Sequence, residues 1–152
     1  MGVGFLKSYI LPSLMGFIFL VLSAATQSQI KQRDGIVVVA NIQQTDLSLS
    51  QQQIRSLFMG SSLGYEFKVV TLPPRSLIRV TFNTKIIGLT EERIQSYWAQ
   101  MRFSGRKTLP KQVESEELLI DFLTNNPGAV GYLSASTQVP GHLHVIYRSQ
   151  YQ

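Results

Sequence analysis

The first 25 residues decide how much of this chain is left to fold. They hold one basic side chain, Lys7, and no acidic one, and from Tyr9 to Ala25 the chain reads YILPSLMGFIFLVLSAA without a charge. A basic start, an apolar run and then small residues is the layout of a secretory signal, with Ser23, Ala24 and Ala25 supplying the small side chains a signal peptidase needs. The expectation is export to the periplasm of a Gram-negative envelope, with cleavage after Ala25. The alternative is an uncleaved N-terminal membrane tether. Against it, the uncharged run Ser8–Ala25 is near the lower limit for spanning a bilayer, and Pro12 and Gly16 weaken it as a helix. The expected division is 1–25 signal, 26–35 polar linker and 36–152 folded domain.

The chain has no cysteine. That excludes a lipid anchor on an N-terminal cysteine and any disulfide framework, so an exported domain must be held by its core alone. Residues 26–152 are enough for one such core. The net charge of +5 falls by one when Lys7 leaves. The remaining cations are scattered, densest from Arg102 to Lys111. A solvated face is the plain reading of that cluster, and a surface for an anionic partner the sharper one. Nucleic acid is not expected, since no binding motif for it is present.

Strand and helix signals alternate. Ile36–Ala40 (IVVVA) reads as a buried strand. Ser50 is placed to cap a helix carrying Ile54, Leu57 and Phe58 on one face, stopped by Gly60. Phe67–Leu72 reads as a second strand, ended by Pro73-Pro74. Residues 75–87 have strand-like composition, yet Leu77, Ile78, Phe82 and Ile86 match a helical stripe. Their place before another helix favours helix, closed by Gly88. Thr90 should cap a helix to about Phe103, with Glu91 and Glu92 in its first turn and Ile94, Tyr97, Trp98 and Met101 facing the core. Ser115 should cap another, with Leu118, Leu119, Phe122 and Leu123 inward. Ala129–Leu133 reads as a strand, and His142–Tyr147 as a last one with Leu143, Val145 and Tyr147 on one face. The whole implies an α/β domain with a mainly parallel or mixed sheet flanked by helices.

Little in the sequence points to catalysis. There is no G-x-S-x-G elbow and no Gly-rich phosphate loop. His142 and His144 would share one face of a strand, with no carboxylate or cysteine nearby in sequence to complete a metal site. No enzyme, cofactor or metal is expected. An anion site is better supported, because hydroxyls, helix-start N–H groups and an arginine suit an oxyanion. Two places offer them, Arg75 and Ser76 in TLPPRS and Ser104-Gly105-Arg106. Ser50, at the end of the loop from Thr45, is a third contributor. Ser50 and Ser76 are equally well explained as helix caps.

The order of segments carries a resemblance. IVVVAN, then LSLSQQQIRSLFMG, a strand ending in proline, YWAQMRFSGR and NNPGAVGYL together resemble short, single-lobe relatives of the phosphate-binding proteins of ABC transporters, in the type 2 periplasmic binding protein class. Leu49–Gly60 is similar to that family's helix followed by I-F-x-G, and Pro127–Leu133 to its P-G-A-I-G-Y strand. The resemblance covers Ile36 to Leu133. It implies a single lobe of the periplasmic binding protein fold and phosphate or a similar oxyanion as ligand. The chain departs from the pattern where those relatives carry a serine-glycine-threonine loop. Here the stretch reads TLPPRSLIR, with Arg75 and Ser76 as the remnants. The resemblance therefore leaves two functions open: an oxyanion-binding protein for transport or sensing, and a non-catalytic module that binds an envelope protein. A homodimer would rebuild a two-lobed cleft.

Overall fold

The computed structural model describes residues 35–105 and 109–149. The expected signal segment and linker, up to residue 34, and Arg106 lie outside the described residues. Among the described residues no helix is long and apolar enough to cross a membrane.

Strand β1 (Ile36–Ala40) is buried at every position. Alternation is absent because both of its faces are covered, and each Val or Ile so buried contributes about 2 kcal/mol of apolar transfer. Helix α1 (Gln51–Phe58) follows, then β2 (Lys68–Thr71), α2 (Leu77–Phe82), a π-helical stretch (Asn83–Ile87), α3 (Glu91–Phe103), β3 (Lys111–Gln112), α4 (Glu116–Asn125), β4 (Ala129–Ser134) and β5 (His144–Arg148). One sheet holds all five strands in the order β3-β2-β4-β1-β5. Pairs β2–β3 and β2–β4 are parallel, while β1 runs antiparallel to both β4 and β5. The sheet is thus mixed, one of the two arrangements that the alternation of strands and helices left open.

Three of the four helix starts carry the side-chain caps expected of them. Ser50 and Gln53 form a reciprocal box at the start of α1: Gln53 N–H donates to Ser50 Oγ, and Ser50 N–H donates to Gln53 Oε1 at 2.8 Å. Ser76 and Ser115 likewise accept backbone N–H groups of their first turns. Thr90 holds the N-cap position of α3 with extended backbone, but its hydroxyl caps no N–H. Residues 75–87 are helical, with a break in period. The π turn inserts one residue per turn after Phe82, so Ile86 and Ile87 both reach the core. Gly88 closes it at φ 68°, a left-handed geometry that glycine adopts without steric cost.

Four expectations about facing are corrected. Leu77, assigned to the buried stripe, is 82% exposed. As the first residue of α2 it precedes the turns that meet the sheet, and Arg79 takes the inward place. Leu118 is also exposed, while Leu119 and Leu123 are buried and Phe122 half-buried. Leu119 and Leu123 lie one turn apart, and Leu119 packs on Gly131, so the contact stripe of α4 is narrower than its leucines suggest. In β5 the buried residue is Ile146, not Val145 or Tyr147. Val38 pairs with Tyr147 and Val39 with Val145, so Ile146 is the extra residue of a β-bulge. Such an insertion re-aims side chains and breaks the two-residue period. His142 falls in the turn before β5, where Nε2 lies 3.1 Å from Thr124 Oγ1. The two histidines therefore do not share a strand face.

Candidate functional site

The turn after β2 is where the sequence places its best anion candidate. Its geometry follows from proline and serine. Leu72 is buried, Pro73 and Pro74 end the strand, and Ser76 N–H donates to Pro73 O at 3.0 Å. Ser76 then caps α2 by accepting Arg79 N–H at 3.4 Å. Arg75 points to solvent.

The arginine that the turn buries is Arg79, at 7% exposure. It sits three residues into α2, on the face shared with Ile78, Phe82 and Asn83. Its guanidinium makes a fork with the Glu91 carboxylate: Nε donates to Oε2 at 2.9 Å and Nη2 to Oε1 at 2.7 Å. Nη1 donates to Leu72 O at 2.6 Å and to Thr71 Oγ1 at 3.4 Å. Two amides complete the carboxylate's shell, Asn83 Nδ2 on Oε2 at 2.8 Å and Gln95 Nε2 on Oε1 at 2.6 Å. Each carboxylate oxygen thus accepts two bonds.

Burial works to raise the pKa of Glu91. The bonds from Arg79 and Gln95, the charge of Arg79 and the bond from Asn83 outweigh it, and hold the carboxyl below its ordinary value. Aromatic rings wall the cluster. Phe82 stacks on Tyr132 at 4.0 Å between centroids and Phe58 tilts against Phe82 at 4.7 Å. Tyr132 Oη accepts Leu72 N–H at 3.2 Å, and burial pushes its phenol up to about 12. The space left beside Arg79, bordered by Trp98, Leu109 and Gln112, is about 120 Å³. Chemically this is a charge pair closed on itself, with the chain's own carboxylate where an anion would sit.

The other candidates stand apart from this cluster. Ser104, at the end of α3, gives its hydroxyl proton to Met101 O at 3.0 Å. Ser50 borders a second, larger cleft of about 690 Å³ with Gln51, Thr84, Lys85, Tyr147 and Arg148. Sequence reasoning missed Arg79 and assigned Glu91 only to a helix start. The available signal was position: in a helix capped by Ser76, Arg79 falls one turn before Asn83 on the inward stripe, where an unpaired charge is not tolerated.

The architecture is a mixed sheet flanked by helices. Its backbone is similar to the crystal structure of an ABC-type phosphate transport receptor from Vibrio cholerae, with a TM-score of 0.54 at 21% identity. The match covers 74% of this chain and 45% of that chain, so this chain spans less than half of the receptor it resembles. No family model matches the sequence, and no curated protein matches it either.

Proposed function

We propose that this chain is a non-catalytic binding domain of the bacterial envelope, built on the periplasmic binding protein fold, that holds a partner protein rather than enclosing free phosphate. The Arg79–Glu91 pair is the observation that supports this reading. In a site that grips an oxyanion, the arginine's donors must be available to the ligand. Here four of the five N–H groups of the fork are directed at Glu91, Leu72 and Thr71. Leu77 and Val80, three residues apart on α2, are exposed apolar side chains that suit cover by another protein. Cross-linking in intact cells should trap one defined envelope protein or a second copy of the chain. Recovery of monomer alone would sink the proposal.

The second reading is a periplasmic oxyanion-binding protein for ABC-type transport or sensing, with phosphate the first candidate. The likeness of fold to a phosphate transport receptor favours it. In that reading Arg75 and Ser76, with Ser50, Ser104 and Arg106, contribute to the ligand. Calorimetry of the full chain with phosphate and sulfate separates the two readings. Heat that Arg75→Ala weakens would favour the carrier, and no heat at millimolar anion would remove it.

A further inference from the structure

Two helix faces with exposed apolar side chains lie on opposite sides of the sheet. Phe82, the last residue of α2, stacks on Tyr132. Leu119 of α4 packs on Gly131, the neighbouring residue in β4. Successive residues of a strand point to opposite faces, so α2 and α4 cover different faces of the sheet. Their outer surfaces therefore look away from each other.

Each outer surface has an apolar centre. On α2, Leu77 is 82% exposed and Val80 48%, and on α4 Leu118 is 50% exposed. The charges around these centres have opposite sign. From Phe67 to Thr90 the sequence holds no acidic residue, and Arg75, just before α2, is exposed. From Val113 to Asn126 it holds no basic residue, and Glu114, Glu117 and Asp121 are exposed around Leu118. Glu116 is engaged elsewhere, accepting from Ser134 N–H and the Thr137 hydroxyl. The nearby cation Lys111 lies over the Phe122 ring, with Nζ 4.9 Å from the centroid. An apolar centre with a charged margin is the anatomy of a protein interface, and opposite signs make each face the complement of the other. Every copy of the chain carries both. We infer that α2 of one copy docks on α4 of the next. The two patches differ, so the contact is heterologous. Each docked copy keeps a free face on its far side, and the contact propagates as a ring or a filament. The inference rests on the partner-binding proposal and names a second copy as the partner.

The chain has no cysteine, so introduced cysteines report the contact without background. Thr84 lies one turn beyond Val80, to whose carbonyl its hydroxyl donates, and Asn125 one turn beyond Asp121. Both are exposed, and replacing them leaves the apolar and charged groups of the two faces in place. The full chain carrying Thr84→Cys and Asn125→Cys, treated in intact cells with a short bismaleimide, should give a ladder of dimer, trimer and larger species on reducing, denaturing gels. Either substitution alone should give monomer. The two single variants expressed together should give dimer and nothing larger. Adding Leu77→Asp to the double variant sets a carboxylate against those of α4 and should cut the ladder at least about tenfold. As a control, Glu66→Cys, on the loop before β2, should give no ladder when it replaces Asn125→Cys. Dimer from a single variant, or a ladder indifferent to Leu77→Asp, would overturn the inference. A missing ladder with another envelope protein trapped overturns this inference alone. A missing ladder with nothing trapped overturns the partner-binding proposal with it.

Discussion

Glu91 and Arg79 give the clearest consequences of single side chains. The folded pKa of Glu91 lies below its ordinary value of 4.5. A depressed carboxylate contributes stability that is present above its unfolded pKa and lost as pH falls through the folded one. Thermal melts should therefore fall steadily below about pH 4.5, and Glu91→Gln should flatten that acid limb while lowering the melting point at pH 7. Arg79→Ala leaves a partly buried carboxylate without its fork and should cost about 3 kcal/mol. A melting point within a degree of the parent would show that the pair holds nothing together. Tyr132 acts at the other end of the scale. Its phenol is raised to about 12, so its contribution is complete below pH 10 and is lost as pH climbs toward 12. Tyr132→Phe should blunt that alkaline loss and cost about 1 kcal/mol at neutral pH for the unpaired Leu72 N–H. Of this cluster, only Ser76 was legible in the sequence, because a cap is a local signal. Arg79 and Glu91 are twelve residues apart, and nothing in spacing alone says that two helices bring them together.

At the scale of elements, caps and stops were the most readable features, since they depend on a few adjacent residues. Ser50, Ser76, Ser115, Gly60 and Gly88 all sit where their chemistry places them. Ser50→Ala should cost about 1 kcal/mol by freeing the Gln53 N–H, visible in urea denaturation as an earlier midpoint at unchanged slope. What eluded the pattern were departures from regular period. The π turn at Asn83–Ile87 and the bulge at Ile146 each insert one residue, and each shifts every side chain beyond it. The contact of α4 with β4 offers a sharper test. A Cβ on Gly131 would lie 2.8 Å from Leu119 Cδ2 and 3.1 Å from Val70 Cγ1. Gly131→Ala must push the helix or the strand aside and should destabilise by about 1–3 kcal/mol. Pairing it with Leu119→Ala should recover part of the loss, and strict additivity would mean that the two do not meet.

For the molecule as a whole, the α/β class follows from the order of segments, which left the sheet either mainly parallel or mixed. The strand order does not, because pairing of β1 with β4 and β5 is set by the core and not by neighbours in sequence. That order has a consequence for how the chain is made. Val38 pairs with Tyr132 on one side and Tyr147 on the other, so the first strand to leave the ribosome waits for the last two. Contacts across such separations form slowly. Until then IVVVA is a bare β-branched segment of the kind that recruits other chains. Under the proposed envelope role, which would take the chain through a membrane as an open polypeptide, this delay is an advantage, because there is no finished sheet to unravel first. Holdase chaperones should accordingly protect nascent chains ending before Ala129, and lose their grip once residues beyond Arg148 have emerged. Release at the shorter length would mean that β1 finds an earlier shelter.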